Sequence, residues 1–297
     1  MKLLLAYIFR FFYNVDKRTR LRQKCPLKKS SLWVIGSVRI GGAGKTPITL
    51  ELANFLQKNN FSVAVLLHNS AQDEAKLKKK KNKSLAIFLT NNRAKTALKL
   101  DGKYEYILCD DGFEDKRLLP NKKIFLDFGE KANSIKDLFP QGNCRSFKKD
   151  HNDITNTWTC FGKNPDCKFS IEKIIAAKDY FENTQNASKA HLQNATIACA
   201  IGDPKRFEQD IKNCGIQIAQ KYFFRDHSKN FEQKIEKILH QNTPVIITEK
   251  DAMRIQTHKQ NKNQKNRLRI EKPNKKTQLV QEKTIIDQPR HEHLINQ

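Results

Sequence analysis

The stretch "GSVRIGGAGKTPITLELANFL", residues 36–56, decides the fold of this protein. The apolar run "SLWVIG" (31–36) leads into it and predicts a buried strand, and apolar side chains at helical spacing follow it. A glycine-rich turn lies between the two. A strand, such a turn and a helix in this order are typical of a phosphate-binding loop, because backbone N–H groups turn toward an anion at the start of the helix.

The residues of this loop predict a nucleotide site. The six residues expected around the phosphates are Gly41, Gly42, Ala43, Gly44, Lys45 and Thr46. The lysine is placed to reach the outer phosphates, and the threonine hydroxyl is placed to bind Mg²⁺. The usual signature, G-x-x-x-x-G-K-[ST], has a glycine where Arg39 stands here. The loop therefore departs from the signature at one position.

Further β-rich runs alternate with helical patterns along the first half of the chain. They are "FSVAVLL" (61–67), "LAIFL" (85–89), "YEYILC" (104–109) and "KKIFLDF" (122–128). Strands that alternate with helices predict βαβ units and a mostly parallel sheet. The predicted fold class is α/β, with a first domain of P-loop NTPase type.

A second group of strands and helices predicts a smaller α/β domain. We expect four segments: an amphipathic helix at 1–24, a P-loop domain at 25–152, the smaller α/β domain at 153–257, and a basic, largely disordered tail at 258–297. One strand is expected in the tail, at 278–286. The lysine run "KLKKKKNK" (76–83) is expected to be a solvated loop.

Two carboxylates end the predicted strand in "YILCDD". Asp110 and Asp111 would lie at the end of a strand next to the glycine loop. Oxygen ligands of this kind bind Mg²⁺ directly or through water in P-loop folds. Together with Thr46, the pair predicts a metal site. Strand-end aspartates also cap turns, so this prediction depends on the neighbouring loop.

The net charge of +25 is extreme for 297 residues. It suggests an anionic partner, which could be nucleic acid, a membrane face or a phosphorylated substrate; the alternative is a lysine-rich compositional bias. No aromatic-basic recognition motif is present, so no specific nucleic acid is expected. The seven cysteines include no C-x-x-C pair, which makes zinc unexpected and fits a reducing cytoplasm.

The N-terminal stretch "MKLLLAYIFRFFYNVDKRTRLRQK" predicts an amphipathic helix. Its apolar residues recur at helical spacing and a cationic cluster follows them. No small-residue cleavage site of a signal peptide is visible, and no run reaches the length needed to span a bilayer. We expect this helix to lie on an anionic membrane surface, the alternative being a helix packed on the core of the protein itself.

Six motifs in order resemble those of the tetraacyldisaccharide 4'-kinase family, the lipid A 4'-kinases. They are "GSVRIGGAGKTP" (36–47), "DDGFEDKRL" (110–118), "LFPQGNCR" (138–145), "AIGDPKRF" (200–207), "FFRDHSKNF" (223–231) and "ITEKDAMRI" (247–255). The resemblance implies two α/β/α domains, the first being the kinase domain, with a nucleotide cleft between them.

The resemblance also implies a reaction. ATP would give its γ-phosphate to the 4'-hydroxyl of an acylated glucosamine disaccharide 1-phosphate, with Mg²⁺, at the cytoplasmic face of the inner membrane, where the protein would be peripheral. The sequence leaves the acyl chains of the substrate and the oligomeric state open. A phosphorylated lipid substrate is consistent with the basic charge and with an interfacial helix.

Catalytic roles are carried over from the family by position. "QDEA" (72–75) lies where the family keeps its catalytic aspartate, which makes Asp73 the candidate base. His227 would be its partner from the second domain, since a carboxylate paired with an imidazole suits proton abstraction near neutral pH. Arg145 matches an arginine of the family and is expected to contact phosphate. The structural alternatives are a surface acid for Asp73 and a packing or capping residue for His227.

Several positions depart from the family pattern. The glycine-rich run after the second strand is "LLHNS" (66–70) here, and Glu114, Ser146 and Ser228 replace a glutamine, a glutamate and a histidine. Three alternatives therefore remain beside the kinase hypothesis: a catalytically weakened homologue that still binds nucleotide, a regulatory P-loop NTPase or GTPase, and a nucleic-acid-binding protein. "TEKDA" (248–252) has glutamate where guanine-selecting proteins have lysine, which argues against a GTPase.

Overall fold

The computed structural model divides the chain into two compact units. Unit 1 comprises Met1–Lys168 and Thr284–Gln297, and unit 2 comprises Phe169–Lys283. The residues that the structure describes are 1–21, 24, 26–41, 44–151, 153–160, 194–225, 228, 231–239 and 244–255, together with the backbone of 167–176 and 277–286. The predicted domain bounds at 24, 152 and 257 stay predictions. The predicted disorder of the tail falls outside the described residues, apart from the strand at 277–286.

Unit 1 contains a six-stranded parallel sheet. Its strands are β1 (Ser31–Gly36), β2 (Val63–His68), β3 (Ala86–Thr90), β4 (Tyr106–Asp110), β5 (Lys122–Asp127) and β6 (Asn156–Thr159). Their order across the sheet is β3-β2-β4-β1-β5-β6, and every neighbouring pair is parallel. All strands therefore end at the same edge, and β1 has β4 as its neighbour there. The predicted parallel α/β fold is confirmed.

The helices of unit 1 are α1 (Lys2–Leu21), α2 (Lys45–Lys58), α3 (Gln72–Lys81) and α4 (Arg93–Leu100). The predicted helix after the glycine loop is α2, and it buries Ile48, Leu52 and Leu56 at helical spacing. Strands β1, β2 and β4 are buried along nearly their whole length, as apolar strands covered by helices are. Alternate residues of β1, β2 and β4 pack with α4 in one apolar cluster.

One glycine is needed for close packing at the end of β1. A Cβ atom on Gly36 would come within 2.3 Å of the Phe113 ring, which is buried in the core. Any side chain at this position would force the segment after β4 away from β1. Since that segment carries the acidic residues predicted to form the metal site, the glycine helps to keep them beside the loop.

The lysine run was wrongly predicted as a solvated loop, because residues 72–81 form helix α3. Lysine has a good helix propensity, and no glycine or proline interrupts the run, so the charge pattern was misleading. Two acidic residues, Asp73 and Glu74, lie in the first turn of the helix, where they favour its N-terminus. Most of the lysines are exposed, but Lys78 is fully buried.

Unit 2 contains a five-stranded sheet, in the order β7-β11-β10-β8-β9. The strands are β7 (Cys167–Ala176), β8 (Ala195–Cys199), β9 (Ile218–Phe223), β10 (Val245–Thr248) and β11 (Thr277–Ile286). β8 pairs in parallel with β9 and β10, and β10 pairs in parallel with β11. Helices α5 (Pro204–Asn213) and α6 (Phe231–Leu239) belong to this unit. The predicted second α/β domain is confirmed as a fold.

Helix α1 has two different sides. One side packs on unit 1: Ala6 is buried, the Phe9 ring contacts Phe139 edge to face, and Arg10 forms a bidentate ion pair with Asp150. The rest of its surface exposes large apolar side chains, namely Leu3, Leu4, Leu5, Tyr7, Ile8, Phe11, Phe12 and Val15. The predicted amphipathic helix is present. Among the described residues no helix is both long and apolar enough to cross a membrane.

Candidate active site

The candidate site lies where β1 and β4 end. Ile35 of β1 stands beside Asp110 of β4 in the register of the sheet, and the Asp111 N–H donates to the Ile35 carbonyl at 3.0 Å. The chain leaves β1 for the glycine loop and leaves β4 at the two aspartates. Ligands of open parallel sheets bind at this edge, beyond the carboxyl ends of the strands.

The loop brings the start of α2 to this edge. Gly41 and Gly44 have φ values of 67° and 54°, a left-handed conformation that favours glycine. Helix α2 starts directly afterwards with Lys45 and Thr46, and it has no acidic residue in its first turn. Its N-terminus therefore keeps the positive potential that suits a phosphate. Gly42 and Ala43, also predicted to surround the phosphates, lie outside the described residues.

Lys45, Asp111 and Arg145, all predicted site residues, come together. The Lys45 Nζ lies 3.0 Å from Asp111 Oδ1, and Arg145 Nη1 donates to Asp111 Oδ2 at 3.2 Å. The same Arg145 nitrogen lies 3.4 Å from Glu114 Oε2. Two cations and two carboxylates thus alternate from the loop to the segment after β4. A phosphate group at this position would compete with Asp111 for both cations.

The surroundings of these four residues shift the pKa values of the two acids in opposite directions. Burial by itself raises the pKa of Asp111, but Lys45 and Arg145 outweigh it and hold this pKa well below its ordinary value. Burial also raises the pKa of Glu114, and here the nearby Arg145 guanidinium does not fully oppose the shift. Asp111 is therefore an anion at neutral pH. The Glu114 carboxyl binds a proton more readily than an exposed glutamate does.

Asp110 belongs to a second group of contacts, next to the first. Its Oδ2 accepts a hydrogen bond from Lys78 Nζ at 2.7 Å, and the same ammonium donates to the Thr46 carbonyl at 3.1 Å. The Thr46 hydroxyl donates to Glu74 Oε2 at 3.0 Å. Helix α3 thus contacts both the first turn of α2 and the end of β4. Burial raises the pKa of Asp110, while the Lys78 ammonium opposes that shift.

The donor atoms at this edge fit a magnesium ion. Asp110 Oδ1 is buried and has no hydrogen-bond partner among the described residues, so one carboxylate oxygen is unsatisfied. The Thr46 hydroxyl and the Asp111 carboxylate are the other oxygens close by. Hard oxygen ligands are those that Mg²⁺ prefers. Thr46, Asp110 and Asp111 are therefore the residues that would hold the metal.

Of the two predicted catalytic residues, only Asp73 lies within the described part of the chain. Asp73 lies in the first turn of α3, partly exposed, one residue before the glutamate that contacts Thr46. The start of α3 is therefore next to the start of α2. His227 lies outside the described residues.

Sequence reasoning missed several charged residues of this edge. Lys78, Glu74 and Arg93 were not singled out, although Arg93 donates to the Asp110 carbonyl at 3.3 Å. Glu74 could have been found, because it follows the candidate base in "QDEA". Lys78 could not have been selected from five lysines within residues 76–81, since only the phase of α3 determines which of them faces inward.

In the parallel sheet of unit 1, strand β1 is followed by a glycine loop and by a helix that begins Lys-Thr, and two aspartates lie at the end of the adjacent strand. This arrangement defines a P-loop protein of the phosphoryl-transfer class. The family model described as tetraacyldisaccharide-1-P 4'-kinase matches residues 68–288, which is more than half of the chain. The chain belongs to this family and is a lipid kinase.

Named relatives agree with this assignment. The tetraacyldisaccharide 4'-kinase of Chlamydia muridarum is 27% identical over 262 residues, covering 75% of this chain and 71% of that protein. The enzyme of the same name from Haemophilus influenzae is 24% identical, covering 75% and 73% of the two chains. The enzyme of the same name from Bartonella henselae is 25% identical, covering 86% of this chain and 82% of that protein.

A solved structure has the same fold. The crystal structure of LpxK from Aquifex aeolicus in complex with ATP superposes with a TM-score of 0.67 and 18% identity, covering 99% of this chain and 97% of that one. At this identity the likeness establishes the fold alone. It agrees with the α/β architecture of both units.

Proposed function

We propose that this protein transfers the γ-phosphate of ATP to the 4'-hydroxyl of an acylated glucosamine disaccharide 1-phosphate in lipid A biosynthesis. The observation that carries the proposal is the cluster of Lys45, Asp111 and Arg145 at the N-terminus of α2, within a chain of this kinase family. The names of the relatives support the lipid substrate. The ATP complex of the Aquifex aeolicus protein supports the nucleotide.

Each of the site residues would have its own role in phosphoryl transfer. Residues 41–46 would surround the phosphates of ATP, and Lys45 would exchange its Asp111 partner for a phosphate oxygen. Arg145, which pairs with Asp111 and Glu114, would contact phosphate as well. Thr46, Asp110 and Asp111 would hold Mg²⁺, which supplies positive charge to the phosphate oxygens when bound. This arrangement stabilises charge and positions the reacting groups.

The acceptor hydroxyl needs a base. We assign this role to Asp73, with His227 as its partner. The 4'-oxygen would form a bond to the γ-phosphorus while the bond from that phosphorus to the oxygen shared with the β-phosphate breaks, leaving ADP. The hydroxyl proton would pass to the Asp73 carboxylate. The position of Asp73 in the first turn of α3, beside the residue that contacts Thr46, supports this assignment.

We propose further that α1 binds the cytoplasmic face of the inner membrane, so that the protein is peripheral. Leu4, Phe11 and Phe12 are each about two-thirds exposed on the side of α1 that faces away from unit 1. Arg10, by contrast, is neutralised by Asp150 and serves to hold the helix on unit 1. An apolar helix face with Arg18 in its last turn suits an interface with anionic headgroups, while Arg20 is paired with Asp16 and Asp115.

Co-sedimentation with anionic liposomes tests this membrane assignment. Replacing Leu4, Phe11 and Phe12 by serine should leave most of the protein in the supernatant, because the apolar area that enters the interface is lost. The matched control is Leu98→Ser, which removes an exposed leucine from α4 of the same unit. Equal sedimentation of the triple variant and the control would contradict the assignment.

The reaction is tested by phosphate transfer from labelled ATP to acylated disaccharide 1-phosphate in detergent. Lys45→Ala should lower the rate by roughly a thousandfold or more, because the outer phosphates lose their cation and their in-line position. Lys58→Ala, which removes an exposed lysine at the other end of α2, is the matched control. Unchanged transfer by Lys45→Ala would contradict the P-loop assignment. Nucleotide binding without transfer by the natural chain would favour the weakened homologue.

A further inference from the structure

One lysine of the run in α3 differs from the others in its surroundings. Lys78 has no exposed side-chain surface, whereas Lys76, Lys79, Lys80 and Lys81 are exposed. A buried ammonium is costly unless it is paired and hydrogen-bonded. The position of Lys78 in the fold therefore requires partners, and both of them belong to the candidate site.

Lys78 connects the two halves of the candidate metal site. Its Nζ lies 2.7 Å from Asp110 Oδ2 at the end of β4 and 3.1 Å from the Thr46 carbonyl in the first turn of α2. Asp110 is only 2% exposed, and its second oxygen, Oδ1, has no partner among the described residues. One oxygen of the carboxylate thus accepts from an ammonium, and the other is buried and unsatisfied.

The charge of Lys78 affects any second cation in this place. A carboxylate paired with an ammonium attracts a dication less than a bare carboxylate does, and the ammonium also repels it. At the same time the ammonium supplies positive charge next to the phosphate loop without a metal. A single side chain would therefore weaken metal binding and strengthen metal-free nucleotide binding.

We propose that Lys78 is a resident cation of the phosphate site, which positions Asp110 and the first turn of α2 and reduces the dependence of nucleotide binding on divalent metal. The proposal rests on the proposed function, since it takes the site to be one for ATP and Mg²⁺. It makes Lys78 a positioning residue that acts through Asp110. Its effect is on the metal dependence of binding rather than on the transfer step itself.

The first experiment titrates a fluorescent ATP analogue at a series of Mg²⁺ concentrations. In Lys78→Met, binding in excess EDTA should weaken by about tenfold or more relative to the natural chain, because a nearby positive charge is lost. The Mg²⁺ concentration for half-maximal binding should fall by about the same factor. The matched control is Lys79→Met, which removes an exposed neighbour that donates to the Leu85 carbonyl. Equal Mg²⁺ dependence of the natural chain and Lys78→Met would overturn the proposal.

The second experiment uses the metal alone. Without nucleotide, Mg²⁺ should raise the melting temperature of Lys78→Met by about 3 °C or more, because the dication replaces the missing ammonium at Asp110. Mg²⁺ should leave the melting temperatures of the natural chain and of Lys79→Met nearly unchanged. Lys78→Gln, which keeps a hydrogen-bond donor without the charge, is the substitute if the methionine variant does not fold. A lower melting temperature that Mg²⁺ does not restore would show a purely structural role and overturn the proposal.

The two experiments separate this inference from the proposed function. If the natural chain binds no ATP analogue, the proposed function fails, while the effect of Mg²⁺ on the melting temperatures still tests Lys78. If the natural chain binds the analogue and Lys45→Ala does not, the site is supported. Under that outcome, an unchanged Mg²⁺ dependence of nucleotide binding in Lys78→Met contradicts only the proposed role of Lys78.

Discussion

Each unit of the molecule has a buried aspartate at the carboxyl end of a strand, and the two differ in their partners. Asp110 ends β4 of unit 1 and pairs with the charged Lys78, while its Oδ1 has no partner among the described residues. Asp251 follows β10 of unit 2, and its Oδ2 accepts from the Ala200 N–H at 3.0 Å and from the Thr248 hydroxyl at 2.8 Å. The first aspartate is thus paired with a buried ammonium, whereas the second accepts two hydrogen bonds from its own unit. Asp251 Oδ1 lies 3.9 Å from Arg254 Nη1 and, like Asp110 Oδ1, has no hydrogen-bond partner among the described residues.

The difference separates two uses of similar sequence motifs. In "DDGFEDKRL" Asp111 pairs with Lys45 of the phosphate loop and with Arg145, which is the arrangement of a ligand site. In "ITEKDAMRI" the buried aspartate connects the end of β10 to the end of β8, which is a structural arrangement. A motif shared with a family thus identifies important positions without distinguishing ligand contacts from internal supports.

Among the tests of this comparison, the largest difference in rate is expected between Asp110→Asn and Asp251→Asn. Asp110→Asn should lower phosphate transfer by at least about a hundredfold, because the metal loses a charged ligand worth several kcal/mol in the transition state. It should also weaken metal-nucleotide binding. Asp251→Asn should leave the rate per folded molecule within about twofold, because its side chain is fully buried in unit 2.

The measurement is the rate of transfer together with nucleotide affinity, both corrected for the folded fraction by thermal melting. The correction matters because Asp110→Asn leaves the buried Lys78 without a counter-charge. A comparable loss of rate in both variants would contradict the distinction between a ligand site and an internal support.

A second prediction concerns Asp73, an acid that is neither buried nor ion-paired among the described residues. If it is the base, Asp73→Ala should lower kcat by roughly a hundredfold with little effect on nucleotide affinity. His227→Ala should lower kcat in the same way. The double variant should have a kcat only slightly below that of the worse single variant, since the effects of groups that act as a unit are non-additive. Steady-state kinetics with nucleotide titrations measure both quantities. A near-normal kcat in Asp73→Ala would leave Asp111 as the next candidate.

The sequence predicted the parallel sheet, the loop and the acidic strand end, because these depend on local patterns. Apolar runs specify strands, and glycines followed by Lys-Thr specify the turn and the helix start, without reference to distant residues. The family assignment was predicted as well. What the sequence did not predict was α3, whose lysines read as a solvated loop, and hence the Lys78–Asp110 pair. That pair depends on how α3 packs against residues about 30 positions away, which a local pattern does not contain.

A third prediction concerns the pH dependence of stability, which should differ between the two units. Burial raises the pKa of Asp251 to about 6, despite the hydrogen bonds from the Ala200 N–H and Thr248 that favour its charged form. The unfolded value is near 3.8, so the group is protonated in both states below that pH and its contribution is then fully present. As pH rises through 6 the folded protein must release this proton. The unfolding free energy of unit 2 should fall by up to about 3 kcal/mol, since each pKa unit corresponds to about 1.4 kcal/mol.

Hydrogen exchange of the β8 and β10 amides between pH 4 and 7, corrected for intrinsic exchange rates, measures this slope. Asp251→Asn should abolish it, because an amide does not titrate in this range. Asp111 gives the contrast in unit 1: its folded pKa is lowered by Lys45 and Arg145 against the effect of burial, so its contribution is present above pH 3.8 and lost only as pH falls below it. Protection of the β1 and β4 amides should therefore show no loss from this group between pH 4 and 7. Equal slopes for the natural chain and Asp251→Asn would mean that the buried aspartate of unit 2 keeps an ordinary pKa, and the contrast between the two strand ends would then rest on their contacts alone.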